Sequence, residues 1–142
     1  MSYSISESTS PDEVYSEIWR PLIAFNQATV GNAEGVPYAL EIRSGSDAQI
    51  TGGLWALSLW GSFYIALVVT PEDLRGKGLG EKLMERAEQE ARTRKCHQMW
   101  LDTYAFQARP FYERLGFSVF GQLDGPAPMF PRYFMQKWLE PG

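Results

Sequence analysis

The sequence predicts a mixed α/β fold of α+β character, whose central sheet begins with antiparallel strands, contains a parallel central pair and is flanked by helices. Three observations support this prediction. Apolar runs joined by tight turns occupy residues 38–69, an amphipathic helical pattern begins at residue 79, and another apolar strand follows from residue 99. Strands joined by tight turns are antiparallel, whereas two strands separated by a helix form a parallel pair.

One domain is expected over residues 1–142. The chain has 142 residues, of which 44% are hydrophobic, and this is enough for one packed core but too short for two full domains. We see no internal repeat that would suggest a different organisation.

The first part of the chain predicts a helix preceded by a short edge strand or a loose tail. Apolar and acidic residues alternate with serines over residues 3–7. Ser10 can cap a helix whose first turn contains Pro11, and Glu13 completes a capping box. Pro21 removes a helical hydrogen bond, so we expect the helix to kink or to divide into two near this residue.

An antiparallel meander is expected next, because apolar runs alternate with turn residues. The expected strands are residues 38–43, 50–60 and 63–69, and the expected turns are residues 44–47 and 61–62.

The second half of the chain predicts a helix, a strand, a shorter helix and two final strands. Leu79, Leu83, Ala87 and Ala91 recur at a spacing of four, which is typical of an amphipathic helix. The strand at residues 99–103 should then lie parallel to residues 63–69. The remaining elements are expected as a helix at residues 107–115 that stops at a glycine, and strands at residues 117–122 and 133–139.

Composition excludes several functional classes. The net charge is -4, which argues against nucleic acid as the main ligand. Cys96 is the only cysteine, so no disulfide within the chain is expected and a reducing, cytoplasmic location fits. No stretch approaches the roughly 18 apolar residues that span a bilayer, so no membrane contact is expected. No metal-ligand spacing is present, so no metal is expected.

The glycine-rich stretch at residues 75–80 is the strongest functional signal. It follows an apolar strand and opens the amphipathic helix, so the first free amides of that helix would favour an anion. A Walker A loop is excluded because Lys77 is followed by glycine, and a dinucleotide fingerprint is excluded because Glu81 stands where its third glycine would be. The alternative is a glycine-rich turn with solvated basic residues.

Two motifs together resemble the GNAT superfamily of acyl-CoA N-acyltransferases. Residues 75–80 read Arg-x-x-Gly-x-Gly after Val-Thr-Pro at residues 69–71, and residues 111–117 read Phe-Tyr-Glu-Arg-Leu-Gly-Phe. The resemblance implies the GNAT-type fold and acetyl-CoA as co-substrate, with its pantetheine arm along the strand and its pyrophosphate on the loop. Gln107 would replace a polar contact that many members make through an Asn, where this chain has Ala105. The residues assigned in this way to acetyl-CoA are Leu67, Val69, Arg75, Gly76, Lys77, Gly78, Gly80 and Gln107.

The resemblance also assigns a catalytic acid, Tyr112, which would protonate the departing thiolate of CoA. The alternative is that Tyr112 is a core aromatic residue. For the general base, Glu41 and Asp102 are the candidate carboxylates, and an ordered water or a purely structural role for both acids stays open. Tyr104 is expected to line the acceptor pocket because it follows the parallel strand at its carboxyl end. His97 lies at the opposite end of that strand, so we expect a structural role for it.

The resulting functional prediction is acetyl transfer from acetyl-CoA to a primary amine of a small molecule or peptide, by direct attack in a ternary complex. The alternative is a module that binds acyl-CoA without turnover and acts as a sensor or interaction partner. A homodimer is an additional expectation, with the aromatic final strand as its interface.

Overall fold

The structure is a computed structural model that describes residues 2–45 and 49–140. The predicted turn at residues 44–47 therefore lies partly outside the described residues. The chain divides into two compact units, Met1–Glu34 and Gly35–Gly142. The expectation of a single domain stays a prediction.

The first unit contains one helix, α1 at Pro11–Val30. Its Ser10 side chain makes no capping hydrogen bond, so the predicted capping box is not formed, and the Ser10 carbonyl instead accepts from the amides of Glu13 and Val14. The predicted division at Pro21 is wrong, because the helix continues through this residue. A proline removes only one backbone hydrogen-bond donor, and the helical turns on both sides keep their own hydrogen bonds. Residues 2–9 form no strand.

The second unit contains a six-stranded mixed sheet with the order β1-β2-β3-β4-β6-β5. Only β3 and β4 are parallel, and every other neighbouring pair is antiparallel. This confirms the predicted fold class. The strands are β1 (Val36–Ser44), β2 (Gln49–Leu59), β3 (Ser62–Val69), β4 (Gln98–Tyr104), β5 (Ser118–Leu123) and β6 (Arg132–Trp138).

Two helices and a short 3₁₀ turn complete this unit. The 3₁₀ turn is Glu72–Leu74, and the helices are α2 at Leu79–Thr93 and α3 at Arg109–Arg114. Helix α3 begins two residues later than expected because the Gln107 amide donates to the Tyr104 carbonyl, closing a turn before the helix. No helix within the described residues is both long enough and apolar enough to cross a lipid bilayer.

The parallel pairing between β3 and β4 is short, and this creates the site. Only Ser62↔Gln98, Phe63↔Met99 and Tyr64↔Trp100 are paired. Beyond Tyr64 the two strands diverge, so the β4-facing edge of residues 65–69 has no strand partner. An unpaired strand edge offers backbone donors and acceptors to a ligand.

The core lies between one face of the sheet and α2. Burial of the apolar stripe of α2 against the strands provides the main stabilising term, at about 25 cal/mol per Å² of apolar surface. The buried members from this helix are Leu83, Met84, Ala87 and Ala91, and they pack with Leu54, Ala56, Phe63, Ile65, Met99, Leu101 and Met135 of the sheet.

Arg94, just after α2, ties the helix to the sheet. Its guanidinium donates to the carbonyls of Val36 and Pro37 at 2.6 and 3.1 Å, and to the Ser58 hydroxyl at 2.9 Å. It also pairs with Glu90 at 2.7 Å. Since its side chain is only 18% exposed, these bonds fix the end of α2 to the start of β1.

Candidate active site

A cleft of about 340 Å³ opens where β3 and β4 diverge. Its walls are residues 65–69 of β3, residues 101–104 of β4, and three residues from the following turn and helix. The cleft therefore brings together six residues that the sequence singled out, which are Leu67, Val69, Asp102, Tyr104, Gln107 and Tyr112.

A β-bulge shapes the β3 wall of this cleft. Trp55 pairs with Leu67, but the next residue, Ala56, pairs with Ile65, so Ala66 has no partner on β2. A bulge bends its strand and redirects its backbone groups. Since Ala66 lines the cleft, the bend lies at the place where β3 leaves β4.

A second cavity, of about 530 Å³, lies over the glycine-rich loop at the start of α2. It shares Val68, Ala108 and Tyr112 with the cleft, so the two adjoin and together could hold an extended ligand. Its other lining residues are Thr70, Arg75, Gly76, Gly78, Leu79, Gly80, Glu81, Phe111 and Arg114.

The loop presents free backbone donors. Within the described residues, the N–H groups of residues 76–81 make no hydrogen bond, and the first bond of the helix runs from the Lys82 amide to the Gly78 carbonyl at 3.1 Å. Free amides at a helix start, together with the helix dipole, favour a bound anion. The loop is therefore suited to a phosphate or pyrophosphate group.

Two glycines of the loop have different roles. Gly78 has the left-handed backbone φ of 73° that disfavours other residues, and no atom lies within 4 Å of where its Cβ would stand. A Cβ at Gly80 would lie 3.2 Å from Cζ of Phe111, so the helix start packs closely against α3. The space at Gly78 is open to a ligand, whereas the space at Gly80 is occupied by protein.

The charges around the loop are mixed. Arg75 lines the cavity and is exposed, whereas Lys77 is exposed but does not line it. Arg114, at the end of α3, lines the same cavity and was not singled out from the sequence. Glu81 is the one acid among the lining residues. The cations outnumber the acid, which favours an anionic ligand.

Tyr112 lies on α3 where the two cavities meet. Its residue is 9% exposed, and burial raises the pKa of its phenol above the usual value. Its ring packs edge-on against Phe111 and Phe117, at centroid distances of 5.1 and 6.0 Å. Tyr112 is thus both a core aromatic and a protonated group at the cleft.

Gln107 and Thr103 close the end of β4. The Gln107 side-chain oxygen accepts from the Tyr104 amide at 2.9 Å and lies 3.3 Å from the Thr103 hydroxyl. Because the Tyr104 N–H donates to the side-chain oxygen of Gln107, the NH₂ group of that side chain is left available to a ligand. Thr103 was missed, although it continues the alternation of Met99 and Leu101 on the buried side of β4.

The two carboxylates proposed as bases differ in position. Glu41 lies on β1 at the edge of the sheet and is not among the residues that line either cavity. Hydrogen bonds from Arg43, at 2.9 and 3.1 Å, together with its charge lower the pKa of Glu41. Asp102 lines the cleft, and its Oδ2 accepts from Nε and Nη2 of Arg132 at 2.7 and 2.6 Å.

Cys96 and His97 lie away from both cavities, at the start of β4. The His97 amide donates to the Gly61 carbonyl at 2.7 Å, and burial raises the pKa of the Cys96 thiol. Among residues 2–45 and 49–140, no three His, Cys, Asp or Glu side chains are grouped to hold a metal ion.

Comparison with known proteins gives concordant results. Residues 3–117 match the family described as Acetyltransferase (GNAT) family. An acetyltransferase of Agrobacterium fabrum is 39% identical over 114 residues, which are 80% of this chain and 82% of the relative. The blasticidin-S acetyltransferase of Streptomyces morookaense is 30% identical over 119 residues, covering 83% of this chain and 88% of the relative.

Solved structures agree with this fold. A crystal structure from Agrobacterium tumefaciens, provisionally assigned as an acetyltransferase, aligns with a TM-score of 0.86 and 32% identity. The alignment covers 98% of this chain and 100% of that one.

Proposed function

Because this chain belongs to the acetyltransferase (GNAT) family, we propose that it transfers an acetyl group from acetyl-CoA to a primary amine. The observation that carries the proposal is the run of free amides at residues 76–81, beside a cleft that contains Tyr112. Both the thioester donor and an amine would then reach the same cleft in a ternary complex.

Acetyl-CoA supplies the activated acetyl group as a thioester, and the residues at the two cavities fit it. The amides of Gly76, Gly78 and Gly80, with Arg75 and Lys77, would hold its pyrophosphate. The open edge of β3 at Leu67 and Val69 would pair with the amides of the pantetheine arm, as a strand added to the sheet would. The free NH₂ group of Gln107 would donate to the same arm.

The reaction requires two proton transfers, one to the departing sulfur and one from the attacking amine. The amine nitrogen attacks the thioester carbonyl, the new C–N bond forms, and the C–S bond breaks to release the thiolate of CoA. The Tyr112 phenol protonates that sulfur, because burial keeps the phenol in its acid form. A backbone amide near Val69 would stabilise the negative charge that develops on the carbonyl oxygen.

The proton lost by the amine goes to a base, for which Asp102 is better placed than Glu41. Asp102 lines the cleft, whereas Glu41 is on the edge strand and lines neither cavity. If neither carboxylate is the base, an ordered water would accept the proton. The pH profiles of Asp102→Asn and Glu41→Gln distinguish them, since the acidic limb should change only in the variant that removes the base.

The acceptor is proposed to be a small-molecule or peptide amine. The relative from Streptomyces morookaense is named for blasticidin S, so this compound belongs in a test panel. The net charge of -4 also favours a cationic acceptor.

Release of free CoA thiol from acetyl-CoA, measured with a panel of amines, tests the proposal. The panel should contain blasticidin S, a polyamine, an aliphatic monoamine and a basic peptide. We expect thiol release and an acetylated product with at least one class. Binding of acetyl-CoA in calorimetry without release for any amine would instead support a sensor module. Absence of binding would contradict both functions.

A further inference from the structure

Arg132 lies at the acceptor end of the cleft but has no part in the function proposed above. It is the first residue of β6 and pairs with Tyr104, the last residue of β4, and with Leu123, the last residue of β5. Its side chain is therefore at the end of the sheet where β4 has already separated from β3. Arg132 itself does not line the cleft.

One set of contacts joins Arg132 to Asp102. The Nε and Nη2 atoms lie 2.7 and 2.6 Å from the same carboxylate oxygen, Oδ2. The Asp102 side chain is 14% exposed and that of Arg132 is 35% exposed. Two charge-assisted hydrogen bonds to a carboxylate that is mostly shielded from solvent restrict the rotamer of that carboxylate.

A second set of contacts involves aromatic rings. The guanidinium carbon of Arg132 lies 5.4 Å from the ring centre of Tyr104 and 5.3 Å from that of Phe134. Tyr104 is in turn stacked on Phe106, with ring centres 5.6 Å apart and planes 16° from parallel. A guanidinium over an aromatic face is attractive, and the planar fork of arginine can stack and pair at once.

We propose that Arg132 is a positioning residue, which holds the Asp102 carboxylate and the Tyr104 ring at the acceptor end of the cleft. The inference rests on the proposed function, because it assumes that an amine occupies this end. Arg132 acts through these two neighbours, since both line the cleft and Arg132 does not.

The reason that this end needs such a residue is the short parallel pairing. Asp102 and Tyr104 follow Trp100, the last residue of β4 that pairs with β3, so β6 is the only strand whose backbone pairs with them. Small displacements of reacting or binding groups are costly, and about 1 Å can reduce a rate by about 100-fold.

The test uses Arg132→Met and Arg132→Lys, with Arg109→Met as a matched control. Arg109 forms a similar arrangement, because it pairs with Glu113 at 2.9 Å and lies 4.5 Å from the ring centre of Tyr133, but it lines neither cavity. Acetyl-CoA affinity is measured by calorimetry, steady-state kinetics use the panel amine with the highest kcat/KM, and each variant is crystallised.

We expect Arg132→Met to raise the KM for the amine about tenfold, equivalent to a difference of about 1.4 kcal/mol, with the Kd for acetyl-CoA unchanged. Arg132→Lys should raise the KM less than Arg132→Met does, because lysine keeps the positive charge but lacks the planar guanidinium. In the crystal of Arg132→Met the Tyr104 ring should shift by about 1 Å or more. The control should match the wild type in all three measurements.

Several outcomes would overturn the inference. They are an unchanged KM in Arg132→Met, an equal rise in Arg109→Met, or Asp102 and Tyr104 in their original positions in the variant crystal. If the wild type turns over no panel amine, the proposed function fails by its own test, and the crystal structures alone decide the role of Arg132. If Arg132→Met does not fold, the same measurements on Arg132→Lys decide it.

Discussion

Replacing Gly78 by valine should abolish acetyl-CoA binding while leaving the protein folded. Gly78 is the residue that precedes α2, and its backbone is left-handed with φ of 73° and ψ of 19°. Apart from the adjoining residues of the chain, no atom lies within 4 Å of the added Cβ, so the first carbon of the new side chain enters open space. The space that it enters belongs to the cavity over the free amides.

The expected magnitudes follow from the backbone and the donors. A β-branched residue at this φ costs about 1 to 3 kcal/mol, which is smaller than the roughly 5 to 15 kcal/mol that stabilises an ordinary domain. A hydrogen bond to a charged group contributes about 1.5 to 3 kcal/mol, so blocking two amides weakens binding by at least about 3 kcal/mol. That difference reduces affinity more than about 100-fold.

Two measurements separate strain from lost binding. Urea unfolding reports the stability of the variant, and calorimetry reports its affinity for acetyl-CoA. The matched control is Gly61→Ala, which has a comparable left-handed φ of 80° in the turn between β2 and β3. Its added Cβ would lie 3.0 Å from Cδ2 of His97, so it should lose stability and keep its affinity. A folded Gly78→Val variant that binds acetyl-CoA as tightly as the wild type would refute the proposed pyrophosphate site at residues 76–81.

Four further predictions concern catalysis and stability. Tyr112→Phe should lower kcat by about 100-fold or more with acetyl-CoA affinity unchanged. Because burial raises the pKa of Tyr112, its ionisation should not reduce kcat up to about pH 10 in the wild type, as a pH–rate profile would show. Arg94→Met should destabilise the fold by about 2 to 4 kcal/mol in urea unfolding, since its hydrogen bonds are charge-assisted and its side chain is only 18% exposed. Burial alone would raise the pKa of Glu88, but hydrogen bonds from Lys137 and Arg92 hold it below the usual value. Its contribution to stability is therefore present above about pH 4.5 and lost as pH falls through the lower folded pKa, so Glu88→Gln should weaken this acid dependence in unfolding experiments.

The fold could be predicted from the sequence because its signals are local. The spacing of four from Leu79 to Ala91 and the glycine at residue 61 mark a helix and a tight turn without reference to distant residues. The division of the helix that was predicted at Pro21 was wrong for the opposite reason, because a local rule does not weigh the intact hydrogen bonds on either side of the proline. Local rules also misplaced the start of α3, where the Gln107 amide donates to the Tyr104 carbonyl and closes a turn before the helix.

The site could be predicted only in part. The glycine loop and Tyr112 are contained in short motifs, and the structure places both beside the cleft. Arg132 could not be found, because its importance depends on β6 lying next to β4, a pairing between residues 30 positions apart. The distance of Glu41 from β3 likewise follows from strand order, which no motif encodes.

The free amides at residues 76–81 have an evolutionary consequence. A main-chain N–H is supplied by every amino acid except proline, so divergence at the loop positions other than the glycines can alter side chains without removing the donors proposed to hold acetyl-CoA. The acceptor end proposed for the cleft offers the particular side chains of Asp102 and Tyr104, so an exchange there should change which amine binds. Duplicated genes could therefore acquire new acceptors without having to reinvent how the donor is held.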